Sequence, residues 1–336
     1  MAFFINLCSL FSTFLFTSTF LIHVHVTSAQ SNIVLANFTK LPFPTNVGAG
    51  GSLAFDALEK GPYAGTTDGR ILYFSRFLNT WLDYAYTSPN RHNDGTLGYD
   101  RSPTCGFTLG LSFKPFVGLY ACDPFVGLTF VLAGGPAITL VRNSDASPPL
   151  KFANSVDAAS DGMVYFTDTS SVYGPPDAKK SMDTMDASGR LFQYNPTTKK
   201  LTTLLSQLEG PVGLATNINA SFLLVTEALQ DRILRYWLTG QKAGTSELFL
   251  SFGGAQPSKI KRTQEGNFWV GINNKTSTGA PFPLGIKFSP EGELLAVVDF
   301  SKEYQRRITN VLQQGNELFV AGVNASFIGR YELQYN

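Results

Sequence analysis

Few residues in this chain of 336 can carry acid–base or nucleophilic chemistry. His23 and His25 fall in an apolar leader, so His92 is the one histidine beyond residue 29, and a Ser-His-Asp arrangement or a multi-histidine metal site would have to begin there. It sits in the polar loop Pro89–Pro103 and reads either as catalytic or as plain surface. Cys8 goes with the leader. Cys105 and Cys122 remain, with no histidine or metal partner near them in sequence, and they are compatible both with a disulfide in an oxidising compartment and with two buried thiols. Lys259 is the amine to watch. In a poorly hydrated pocket its pKa would fall, and it would form a Schiff base with an aldehyde or anchor an anion; beside a carboxylate such as Glu227 or Asp299 it would be an ordinary paired lysine. Asn154 either orients a ligand or satisfies backbone groups. Asp168 and Glu227 end strands in equivalent positions and read as turn-tying acids. Arg307 either draws an anionic substrate or pairs with Glu303 at the surface.

A repeat must position these residues. Between Gly189 and Glu247 short apolar runs (Leu191–Tyr194, Leu201–Leu205, Val212–Ala215, Phe222–Val225, Ile233–Leu238) are separated by Asn-Pro, Gly-Pro and Asn-Ala-Ser turn material, which predicts successive antiparallel strands. The same phrase, a polar turn carrying Gly before an aromatic-rich strand, returns at Asp161–Asp168, Glu265–Gly271 and Gly315–Ala321, with weaker copies at Val117–Asp123 and Gly61–Thr67. A four-strand unit recurring roughly every 40–60 residues predicts an all-β, six-bladed β-propeller, because one small sheet cannot bury both faces until neighbours stack on it. The blades are expected over Gly51–Tyr86, Gly106–Val141, Ala153–Leu205, Val212–Phe252, Ile260–Val298 and Ile308–Tyr335. Ile33–Asn37 is expected to complete the last one and so remove an open edge. In each blade the first strand lines the channel, so strand starts converge on one end of the axis. They are Gly51-Ser52, Gly106-Phe107, Phe152-Ala-Asn154, Val212-Gly213, Ser258-Lys259 and Ile308-Thr-Asn310, and any pocket is expected in that ring.

Composition sets the surroundings. A hydrophobic share of 43%, with 28 Phe and 13 Tyr, is enough for a large β core. The formal net charge is +1 and no basic run is interleaved with aromatics, which argues against a nucleic-acid partner. Residues 1–29 hold no Asp, Glu, Lys or Arg and end in Thr27-Ser28-Ala29, the pattern of a cleaved signal peptide, with an N-terminal anchor as the alternative. Residues 30–336 are then one propeller domain in the secretory route, with no stable membrane insertion after cleavage. Sequons at Asn37, Asn219, Asn274 and Asn324 agree with a glycoprotein.

Particular phrases carry a family resemblance. Met182-Asp-Thr-Met-Asp186, Gly189-Arg-Leu-Phe-Gln-Tyr-Asn-Pro196, Arg235-Tyr-Trp-Leu238, Gly240–Glu247, Ile260-Lys-Arg262 and Gly266–Val270 are similar to the plant strictosidine synthase family, as are Asp68-Gly-Arg70, Cys105-Gly106, Val164–Asp168 and Gly285–Phe288. The resemblance implies a six-bladed propeller of the secretory pathway, often vacuolar. It also implies a founding activity, the Pictet–Spengler condensation of tryptamine with secologanin that opens indole alkaloid biosynthesis. There a glutamate near the start of the last blade serves as acid and base. Anchored on Leu318-Phe-Val320 and Ser326–Gly329, that position falls on Thr309, a histidine two positions earlier falls on Arg307, and a pocket histidine of the blade-five loop falls near Thr278. A threonine hydroxyl cannot exchange a proton near neutral pH, so strictosidine synthesis is not expected unless Glu303 takes the role.

The wider superfamily holds calcium-dependent lactonases and phosphotriesterases, whose axial cation would fall here on Gly51, Asn154, Val212 and Ser258-Lys259. Only Asn154 is a suitable ligand, and a lysine there repels a cation, so no metal and no cofactor is expected. The expectation is a small organic ligand or substrate at the axial pocket. The alternatives are a non-catalytic propeller that binds a ligand or partner, and an esterase- or lactonase-type hydrolase with an altered site.

Overall fold

The computed structural model describes residues 3–4, 33–88, 104–275 and 281–335. Their strands form six antiparallel sheets of four strands arranged as a six-bladed β-propeller, with the pair Phe3–Phe4 added in parallel beside Leu250 and Ser251. Blade one is Ala49–Ala54, Tyr63–Thr66, Arg70–Ser75 and Thr80–Tyr86, and blade two is Gly110–Lys114, Gly118–Asp123, Gly127–Val131 and Ile138–Arg142. Blade three is Ala153–Ala158, Val164–Asp168, Gly189–Asn195 and Lys200–Leu208; blade four is Pro211–Thr216, Phe222–Glu227, Arg232–Trp237 and Ser246–Ser251. Blade five is Gln256–Arg262, Phe268–Lys275, Pro281–Phe288 and Leu294–Asp299. Blade six takes Asn310–Gln314, Glu317–Ala321 and Phe327–Tyr335 from one end of the sequence and Ile33–Pro42 from the other. Ile33 pairs with Tyr335 and Pro42 with Phe327, so the outermost strand of the last blade comes from the start of the chain. Expected over Ile33–Asn37, it runs five residues further.

Burial explains why the apolar pattern is continuous rather than alternating. Second strands such as Val164–Asp168 and Phe222–Glu227 are buried along their whole length, because both of their faces are covered by neighbouring blades. The outermost strand Ser246–Ser251 recovers exposed positions, since only part of it meets a neighbour. The core falls into six apolar clusters, one for each seam. Blades four and five meet through Phe222, Ile260 and Phe268, five and six through Trp269, Val298 and Val311, and six and one through Phe319, Leu53 and Phe74. Leu111 and Ile71, Phe166 and Leu128, Tyr165 and Leu223 anchor the other three. A sheet packed on both sides all the way round leaves no blade with a bare face, which is what a closed ring requires.

Besides a single 3-10 turn at Asn143–Asp145, one segment of the described residues departs from strand architecture. Between the second and third strands of blade three, Pro175–Asp177 forms a 3-10 turn and Ala178–Asp183 a short α-helix. Proline opens the segment, and Lys180–Asp177 and Lys179–Asp183 ion pairs sit on its exposed side at helical spacing. No helix among the described residues is long and apolar enough to cross a membrane.

Candidate functional site

A cavity of about 700 Å³ opens at the end of the axis where the first strands begin. Phe107, Phe152, Asn154 and Val212 line it from blades two, three and four, and Ser258, Lys259 and Thr309 from blades five and six. Arg307 lies at its mouth, exposed, with its guanidinium donating to Gln256 Oε1. Blade one contributes no wall residue, yet Gly51 stands directly behind Thr309.

Lys259 forms the floor. Its side chain leaves the first strand of blade five and reaches across to blades three and four. There the ammonium donates to Asn154 Oδ1 at 2.5 Å, Asn154 O at 3.2 Å and Val212 O at 3.3 Å. Three donors meeting three oxygens is the geometry of a protonated amine. Among the described residues no carboxylate accompanies it, so the expected pairing with Glu227 or Asp299 is not made: Glu227 binds Arg232 at 2.6 Å, and Asp299 caps Ser301 N at the surface. Lys259 is 3% exposed. Burial pushes its pKa down to about 7, and the like charge of Lys261, two residues along the channel, adds to the fall. Asn154 is held for this task. Its Nδ2 donates to Thr169 Oγ1 at 2.9 Å, and that hydroxyl donates to Pro211 O at 3.0 Å, which fixes Oδ1 toward the amine.

Thr309 is occupied with structure. Its hydroxyl lies 3.1 Å from Gly51 O and 3.2 Å from Ala321 O, tying blade six to the backbone of blade one. Gly51 has φ +101°, and a Cβ there would come within 2.8 Å of Thr309 Oγ1, so the position behind Thr309 requires glycine. Ser258 Oγ meets Thr309 O at 3.1 Å and Gly271 O at 3.0 Å. Asn273 grips Ile308 at both its N–H and its C=O, at 2.9 and 2.8 Å. The start of the last blade is therefore rigid.

The acids near this end of the ring turn away from the cavity. Asp168 Oδ1 accepts Phe152 N at 2.8 Å while Oδ2 accepts Arg190 at 2.6 Å, and Glu227 Oε1 accepts Glu209 N at 2.9 Å. Asp68 with Arg70 repeats the pairing in blade one at 2.9 Å. Asp123, fully buried, accepts Phe107 N at 2.7 Å and the Thr87 hydroxyl, and burial raises its pKa. These are turn-tying groups that hold the first-strand ends in place.

Several expectations do not reach the cavity. Glu303 accepts from the Tyr331 hydroxyl at 3.2 Å and does not line it, because the backbone turns at Tyr304, whose hydroxyl is anchored on Val320 O. It does not pair with Arg307 either. Cys122 carries a free thiol aimed at Ser155 O, 3.7 Å away in blade three, which leaves the bridge to Cys105 unmade; burial raises its pKa. Thr278 and His92 lie outside the described residues. Of the sequons, Asn37 and Asn219 are exposed and Asn274 is half-buried, while Asn324 is half-buried and lines the cavity.

Other wall residues escaped the sequence reading. Thr169 and Leu229 come from the turns between second and third strands, and Asn273 from near the end of the second strand of blade five, which reach the same end of the axis as the first-strand starts. Pro175 comes from the 3-10 turn, and Ser181 and Met182 from the short helix that it leads into; this segment lies over one side of the opening. Its Pro-Pro start and the helical spacing of Asp177, Lys179, Lys180 and Asp183 were the available signals.

The oxygens of Asn154 and Val212 converge as a hard-cation site would, but the point they share is filled by the Lys259 ammonium. Among the described residues no Asp or Glu lines the cavity and no cluster of three His, Cys, Asp or Glu is present. The donor set does not fit calcium.

The family model described as strictosidine synthase matches residues 154–241. Protein strictosidine synthase-like 11 of Arabidopsis thaliana is 32% identical over 305 residues, covering 89% of this chain and 92% of the relative. Strictosidine synthase of Catharanthus roseus is 32% identical over 282 residues, covering 81% and 79%. Among solved structures, a gluconolactonase from Xanthomonas campestris superposes with a TM-score of 0.62 at 18% identity, covering 88% of this chain and 89% of the other. A calcium-binding regucalcin from Agrobacterium tumefaciens gives 0.57 at 12% identity, covering 88% and 92%. At those identities the two structures speak for the fold alone.

Proposed function

The chain belongs to the strictosidine synthase family, and we propose that it takes a small organic molecule into the axial cavity and acts on it without the carboxylate-driven condensation of the founding synthase. One observation carries this reading: Thr309, the position to which the resemblance assigns the condensing glutamate, lies in the cavity wall with its hydroxyl on the Gly51 and Ala321 carbonyls. Proton transfer to and from an amine needs a group whose pKa lies near the working pH. The described wall has no Asp, Glu or His to replace it, and the nearest spare acid, Glu303, is turned toward Tyr331.

The same shortage of wall acids supports a second reading, a propeller that binds a ligand and leaves it unchanged. A metal-dependent hydrolase has less support, because Lys259 fills the place that a cation would need. Incubating the purified protein with tryptamine and secologanin is expected to yield no strictosidine; robust synthesis would overturn the reading. Val212→Trp, which pushes an indole into the cavity, is expected to weaken the ligand-induced thermal shifts expected of the wild type.

The charge-free leader and four sequons support entry into the secretory pathway, toward the vacuole or the cell exterior. A mature N-terminus near Gln30 and a mass drop on deglycosylation, after expression in a eukaryotic secretory host, are the results expected.

A further inference from the structure

We propose that the ligand of the axial cavity is an organic anion, an apolar body ending in one carboxylate, with its head group directed at Lys259. The proposal rests on the reading of the cavity as a small-molecule site and names the substrate class. Three cations, Lys259, Arg306 and Arg307, line the cavity, and no Asp or Glu does among the described residues. The remaining wall is largely apolar, with Phe107, Phe152, Val212, Leu229 and Ile308 among its members. A positively charged floor under an apolar wall favours a ligand of the same two-part design and disfavours an ammonium, the head group that the condensation reaction requires.

Lys259 decides where the anion goes. A buried ammonium supported only by neutral oxygens is a charge without a counter-charge, an arrangement that folding tolerates poorly and that an entering anion corrects. Of its three acceptors, Val212 O is the most distant at 3.3 Å, and its place is the one a carboxylate oxygen can take while Asn154 Oδ1 keeps the amine aligned. Arg306 and Arg307, exposed at the mouth, draw the anion in.

Binding is therefore linked to the Lys259 proton. The titratable groups facing this amine are Lys261 on its own strand and the Cys122 thiol from blade two, which burial keeps neutral. Both carboxylates at the neighbouring strand ends, Asp168 and Glu227, are committed to arginines. Above about pH 7 the free protein loses the positive charge that the ligand needs, so affinity falls as pH rises.

The test uses three probes with one ring system: 2-naphthylacetate, 2-naphthylacetamide and 2-(2-naphthyl)ethylamine. Titration calorimetry on the full protein at pH 6.5 is expected to rank the carboxylate at least tenfold tighter than the amide, with the amine weakest. The carboxylate's advantage is expected to shrink by pH 8.5. Lys259→Met should erase the acid-over-amide preference while the amide still binds. If that variant does not fold, Arg306→Gln with Arg307→Gln should slow association of the acid and leave the amide unaffected. Equal binding of acid and amide, or tighter binding of the amine, would defeat the anion proposal and leave the cavity reading standing. Failure of all three probes to bind would defeat both.

Discussion

Two buried charges lie within the same end of the propeller, and they are handled in opposite ways. Asp168 is sealed at the top of blade three with Arg190 at 2.6 Å and two backbone N–H groups, while that arginine also donates to Pro148 O and Pro149 O. Lys259, on the floor of the cavity, has only amide and peptide oxygens among the described residues. The first group is closed: every strong contact it can make is made within the protein. The second is left with a charge to neutralise, beside empty volume. Structural charge and ligand-seeking charge are thus separable by asking whether a counter-charge is already present.

The largest effect is expected at the closed site. Arg190→Met strands a fully buried carboxylate, which costs about 3–5 kcal/mol and lowers Tm by on the order of 10 °C. Adding Asp168→Leu to that variant should recover much of the loss, because the pair is then replaced by apolar contacts. Differential scanning calorimetry of the two variants reads this directly. If Arg190→Met is neutral, Asp168 is not the sealed structural charge described here.

The next effect is at the open site and shows as a slope. The folded-state pKa of Lys259 is about 7, below the ordinary lysine value of about 10.4. Between those values the unfolded chain binds one proton more than the folded one, so unfolding free energy rises with pH across that span. The gain is about 2 kcal/mol after allowance for relaxation around the amine, and it is absent below pH 7, where both states carry the proton. Lys259→Met should flatten that rise in denaturant titrations at pH 7, 8 and 9. The slope is the readout, since the substitution also strands the Asn154 and Val212 oxygens. An unchanged slope would mean that this amine is no more buried in effect than a surface lysine.

How much of this was legible in the sequence follows the same division. The repeat was, because covered strands must be apolar along their length, and Phe222–Val225 or Val164–Phe166 show that without any partner in view. The strand starts were too, since a fixed repeat fixes where each blade begins; Phe152, Val212 and Lys259 follow from that alone. Thr169, Leu229 and the helix over Ala178–Asp183 did not follow, because turns between second and third strands vary in length and carry no common phrase. Nor did the partner of Lys259. A lysine reads as seeking a carboxylate, and only the ring geometry shows that Asn154 and Val212, from two other blades, arrive first while Glu227 is taken by Arg232.

Thr309 lies between the two regimes and should behave as closed. Thr309→Val keeps the shape and removes the hydroxyl, at a cost of about 1 kcal/mol, because the Gly51 and Ala321 carbonyls lose one donor between them. Binding of the naphthyl amide probe should not change. If the variant alters probe affinity several-fold at unchanged stability, the hydroxyl faces the ligand after all, and the boundary between structural and ligand-seeking groups has to be moved to include it.

The smallest expected effect is none. A site that bound calcium with micromolar affinity would raise stability by about 4 kcal/mol at a thousandfold excess over Kd, which a thermal melt detects with ease. Millimolar calcium is expected to leave the wild-type Tm where it is, because the oxygens that would coordinate the ion already hold an ammonium and no carboxylate stands by to offset a second charge. Lys259→Ser sharpens the point. It frees the three oxygens and adds a hydroxyl, yet four neutral ligands compete poorly with water for a divalent ion, so a weak response at most should follow. A strong one would show that the lysine alone, and not the loss of acidic ligands, keeps calcium out.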